Sequence, residues 1–158
     1  MRLDDRVQPI RRFSDQQYRD ALESWSWLDL SGKAPRFTSP FGDIFFEAAD
    51  GWWFLDTMEG TLQRRWGTGE EVEAALNTQE GQDQLLLLGL ARSAEALGVS
   101  LLGDQVYDLL PPPALGGSFD PAHVVATDFV VAVHMAGQLH EQVRSLPPGT
   151  PISGVTIE

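Results

Sequence analysis

Few residues of this 158-residue chain could do chemistry, and their spacing is loose. His134, Gln138 and Glu141 recur at four and three residues, so a helix would carry all three on one face. His140 follows His134 by six, which turns its ring to the opposite side. A helical zinc site wants two histidines four apart, and one imidazole, one amide and one carboxylate make a poor ligand set. A buried, hydrogen-bonded His140 and a solvated Glu141 are the expectation, with no metal and no cofactor. Cysteine is absent, so disulfides, thiolate metal sites and a cysteine nucleophile drop out. No serine sits in a Gly-x-Ser-x-Gly elbow, and no glycine-rich phosphate cradle opens a helix. Carboxylates remain. Asp43, Glu47, Asp56 and Glu59 come from one short stretch, and two of them could face each other across strands as in glycoside hydrolysis. A solvated acidic sheet face is the plainer expectation. A pocket of Asp43, Asp56, His134 and Glu141 is the enzymatic alternative.

The elements that must position these groups follow from pattern. Ser14 can cap a helix to about Trp27, with Tyr18, Leu22 and Trp25 as its apolar stripe. Ser31 to Pro35 breaks that helix, and Pro40 keeps the chain extended. From Gly42 to Trp66 the period is that of strands, with turns at Asp50-Gly51 and Glu59-Gly60, so this stretch reads as an antiparallel meander. Adjacent rings on a strand point to opposite faces. Either one of Trp52 and Trp53 faces solvent, or helices cover both sides of the sheet. Thr68 opens a short helix through Leu76, and Thr78 a longer one to about Leu97 whose centre, Leu85 to Leu90, is apolar on nearly every face. Val106 to Leu110 and Val124 to Ala126 are strand-like, separated by the irregular 111–117. Thr127-Asp128 can cap a segment from Phe129 to Arg144 in which Val130-Val131 would also suit a strand; helix is favoured from Val133, ended by Pro147 to Pro151. The reading is one α+β domain: an antiparallel meander packed by a long central helix and a C-terminal helix. Residues 1–40 would be an N-terminal helix and linker, and 41–158 the domain proper.

The formal charge is −12, and it is unevenly placed. Residues 1–66 hold nine bases and eleven acids, whereas 67–158 hold Arg92 and Arg144 against twelve acids. All five tryptophans lie in the first part. Such acidity argues against gripping a phosphate backbone and for solubility or a basic protein partner. No apolar run approaches the roughly 20 residues of a spanning helix. The N-terminus, Met1 to Arg6, has no apolar signal region. A cytoplasmic protein is expected.

Four blocks carry a resemblance. They are Phe41 to Glu47 running on through Asp50 to Gly60, Val106-Tyr107-Asp108 with Pro112 to Gly117, Gly137 to Gln142, and Leu146 to Thr150. In this order they resemble a bacterial family, formerly a domain of unknown function, now named for the C-terminal domain of type VI secretion DNase-immunity proteins. The resemblance implies an immunity-type protein that binds and neutralises a cognate secreted toxin, possibly a nuclease, and carries no catalytic residues. Nuclease toxins tend to be basic, so an acidic inhibitor gains on-rate by steering. Trp52 and Trp66 would be outward anchors, Asp56 and Glu59 the acids beside them, and Asp104 and Asp108 the charge of the acidic remainder. The alternatives are a non-catalytic interaction module with another partner, or a small hydrolase using carboxylates and histidine.

Overall fold

The computed structural model describes residues 8–146. A capping box opens helix α1 (Asp15–Leu22): Gln17 N donates to Ser14 Oγ, and Ser14 N donates to the Gln17 side chain. The helix stops short of the predicted Trp27. A single 3-10 turn, Glu23–Trp25, follows and buries Trp25 completely. Its indole Nε1 then donates to Val133 O at 2.9 Å, a tertiary bond that a continued helix would not aim correctly.

Four strands follow, β1 (Ala34–Thr38), β2 (Ile44–Ala48), β3 (Gly51–Asp56) and β4 (Thr61–Trp66), and pair antiparallel in that order. The meander is as the sequence suggests, with one strand more. Residues 34–38, read as linker, form its edge strand β1. Phe37, Phe45, Trp52 and Phe54 pack to one face, and Ile44, Phe46, Trp53 and Leu55 to the other. Both faces are covered. Helices α2 (Gly69–Leu76), α3 (Gln79–Gln84) and α4 (Leu88–Ala96) close the first, and α1 with α5 (Phe129–Val143) closes the second. A hairpin-like pair, β5 (Gln105–Leu109) and β6 (Val124–Asp128), joins the sheet end where Tyr107 N donates to Pro40 O at 2.8 Å.

Two expectations need correction. Helix 78–97 is not continuous, so there is no long central helix: α3 ends at Gln84, and Leu87 takes a left-handed conformation (φ 50°) before α4 starts. An unbroken helix would spread Leu85, Leu86 and Leu88 over an arc of about 160°, wider than the roughly 100° stripe a core-facing helix typically buries. The break lets all three enter the core, at 5%, 2% and 1% exposure. The C-terminal helix begins at Phe129 rather than Val133, because Asp128 accepts from Val131 N at 3.1 Å and caps it there. The predicted stop at Pro147 to Pro151, the last resemblance block beyond Leu146, and Met1 to Arg6 lie outside the described residues.

Helix α5 lies unusually close to the turn after α1. Ser24 Oγ donates to His134 O at 2.6 Å and Trp27 Nε1 to Gly137 O at 3.3 Å. A side chain at Gly137 would run into Ser24 and the Trp25 indole nitrogen, so only glycine permits this approach. The result is a single α+β domain.

Candidate functional site

Asp43, the first of the predicted acid/base candidates, is buried where the β1–β2 and β3–β4 turns meet. Thr57 N and Thr57 Oγ1 both donate to its Oδ1 at 2.9 Å, and Ser39 Oγ donates to its Oδ2 at 2.9 Å. Burial, and then the nearby Asp56 carboxylate, push its pKa up to about 6 against those hydrogen bonds. Asp56 Oδ1 accepts from Met58 N and Glu59 N, both at 3.0 Å, and so shapes the turn. Glu47 pairs with Arg36 at 2.9 Å, and Glu59 is exposed at the turn tip. Each of these carboxylates except Glu59 is engaged in holding the sheet together.

The histidines divide as their spacing implies. Gln138 Nε2 lies 3.0 Å from His134 Nε2, and His134 Nδ1 lies 3.4 Å from Asp20 O. Donation from Gln138, with the His134 proton on Nδ1, satisfies both contacts. His140 is buried on the other side of α5, and its Nε2 donates to Thr57 O at 2.8 Å. Among the described residues no three His, Asp or Glu side chains converge as a metal site would require. Neither of the two cavities described next is lined by Asp43, Asp56, His134 or Glu141.

The first cavity, about 440 Å³, is a cleft between the sheet face and α2–α3. Phe37, Trp52, Val72, Leu76 and Leu86 form its floor, with Glu73 and Arg12 at its edges. Trp52, half-buried, is therefore the wall of a cleft and not a protruding anchor. Trp66 is not an outward anchor either. Leu62 faces Leu55 and Arg64 faces Trp53, but Trp66 then faces Trp52. Arg65 is the extra residue of a bulge, and the bulge turns Trp66 inward against Phe45 and Phe54. Strict alternation would have put it on the other face of the sheet, with Leu62 and Arg64.

The second cavity, about 250 Å³, lies between α5, the end of β5 and the turn Pro113–Leu115. Its wall is almost wholly apolar, and Asp108 and His140 are the ionisable groups among its lining residues. Asp108 Oδ1 accepts from Leu109 N at 2.9 Å, its one hydrogen bond among the described residues. Burial pushes its pKa up, opposed by that bond. Asp104, by contrast, is exposed, and its carbonyl accepts from Phe129 N.

No family model matches the chain, and no curated protein matches it. Its fold is similar to the crystal structure of Atu4351 from Agrobacterium tumefaciens, with a TM-score of 0.54 and 18% identity. The match covers 82% of this chain and 66% of that one, so this chain spans just under two thirds of its neighbour's length. At this identity the likeness is one of fold.

In the sequence Asp108 stands out by its charge alone, and the cavity around it is a product of the fold. Leu110, Leu115 and Met135, which rim that cavity, are 54%, 39% and 40% exposed. The available signal is Met135, an apolar residue left exposed on α5.

Proposed function

We propose that this is a non-catalytic, cytoplasmic immunity-type protein that binds and neutralises a basic secreted toxin by protein–protein contact. The observation that carries the reading is the charge of the part following the meander. Between residues 67 and 146 eleven acids stand against Arg92 and Arg144, a net of −9, and nine of the eleven are exposed. Glu70, Glu71, Glu73, Glu80 and Asp83 cluster on α2 and α3 beside the apolar cleft of Trp52. A basic partner is steered to such a surface, and an apolar side chain of that partner can then bury itself in the cleft. The order of the four resemblance blocks supports the same reading. The commitment of Asp43, Glu47 and Asp56 to turns and strands weighs against a hydrolase.

The test is co-expression with the protein encoded by the adjacent gene, followed by affinity capture at low and high salt. A stoichiometric complex that weakens as salt rises is the expected result. No complex with any toxin encoded at the same locus would sink the proposal.

A further inference from the structure

We infer that the cavity between α5 and β5 is a binding site for a small organic ammonium ion, apolar in its body and carrying its charge against Asp108. This goes beyond the toxin-binding reading and does not depend on it. Three observations lead here. The cavity, at about 250 Å³, is larger than the roughly 150 Å³ that accepts benzene and slightly below the usual range of ligand pockets, so its ligand is compact. Leu110, Leu115, Met135 and Leu139 offer an apolar sleeve. Within it Asp108 has no Lys or Arg partner among the described residues and receives a single backbone hydrogen bond. A half-buried carboxylate left unpaired against an apolar wall is disfavoured, and an ammonium ion that enters beside it relieves that cost.

The same geometry excludes neighbouring ligand classes. An anion would meet Asp108 directly. Calcium or magnesium wants six or so oxygens, and Asp108 is the one carboxylate among the lining residues; no third His, Asp or Glu joins Asp108 and His140 to make a zinc site among the described residues. A neutral apolar molecule would fill the sleeve but leave the charge unpaired. Ammonium with a hydrocarbon body satisfies both features at once.

Methyl-detected NMR titration of the full chain with benzylammonium, benzyl alcohol and benzoate tests this, because the three probes differ chiefly in charge. Saturable shifts at Leu110, Leu115, Leu139 and Met135 are expected with benzylammonium. Benzyl alcohol should bind about tenfold more weakly, and benzoate should give no saturable shift. Asp108→Asn should bring benzylammonium down to the level of the alcohol, and Met135→Trp, which fills the mouth from an exposed position, should abolish binding of both. Equal affinity for ammonium and alcohol, an unaffected Asp108→Asn, retained binding in Met135→Trp, or no saturable shift with any probe would overturn the assignment. The wild-type series reads the site even where a variant folds poorly. None of these outcomes involves the toxin, so failure here and failure of the complex are separate results.

Discussion

The two halves of this protein use their charge in opposite ways. In the sheet half, residues 8–66, seven bases and nine acids nearly balance, and many are engaged locally. Arg36 pairs with Glu47, Arg64 Nε donates to Asp50 O at 2.6 Å, and Lys33 sits 4.2 Å above the Trp53 ring. In the following half the acids have almost no bases to meet. Two buried or half-buried carboxylates make the contrast concrete. Asp43 receives three side-chain or backbone bonds from Ser39 and Thr57 beyond its own strand, whereas Asp108 receives one from its sequence neighbour. One acid joins two turns of the sheet. The other faces a cavity. Charge in the first half is spent on the fold, and charge in the second is left available.

The largest effect expected from breaking this contrast is at Asp43. Asp43→Ala removes the acceptor shared by Thr57 and Ser39 and strands their buried donors, which costs about 3 kcal/mol in urea denaturation. A loss below about 1 kcal/mol would mean that the junction is not structural.

Asp43→Asn gives a sharper test, because the amide oxygen can still accept from Thr57, and the lost bond from Ser39 does not vary with pH. With the folded pKa near 6 and the unfolded value near 3.8, ionised Asp43 costs stability at pH 7. Its contribution is fully present below pH 4 and lost as pH rises through about 6. The stability of Asp43→Asn relative to wild type should therefore fall by about 2–3 kcal/mol between pH 7 and pH 4, measured in parallel denaturant titrations. A constant difference would contradict the burial argument.

Asp108→Asn should have the smallest effect on stability. Nothing in the fold relies on its charge, and burial disfavours that charge, so the variant should lose no stability at pH 7 and change by less than about 1 kcal/mol. A clear loss would place Asp108 with Asp43 among the structural acids and remove the contrast.

What the sequence revealed about this molecule was local. Ser14, Thr68 and Thr78 cap their helices through side-chain bonds three residues along, and Asp50-Gly51 and Glu59-Gly60 mark tight turns, so these starts and stops were readable. What depended on pairing between distant segments was not. The bulge at Arg65 that turns Trp66 inward exists only against β3. The break at Leu87 exists because a core accepts leucines from more than one side, which no local propensity records. The cavity escaped for the same reason, since Thr57, Asp108, Leu115 and Met135 come from four separate stretches. The acidity of 67–158 was legible as a number, but its gathering on α2 and α3 beside Trp52 was visible only in the fold.

The central claim is that the acids of α2 and α3, beside the Trp52 cleft, steer the partner, and that the acids of the sheet half do not. Isothermal titration of the adjacent-gene toxin against two matched charge reversals tests it most directly. One variant carries Glu70, Glu73 and Glu80 each changed to Lys, and the other carries Asp20, Glu23 and Glu59 changed likewise; all six are exposed. Far-UV circular dichroism would confirm that both remain folded. The account predicts that the first variant weakens binding by about 100-fold while the second stays within about threefold of wild type. Equal losses, or a larger loss in the second variant, would contradict it.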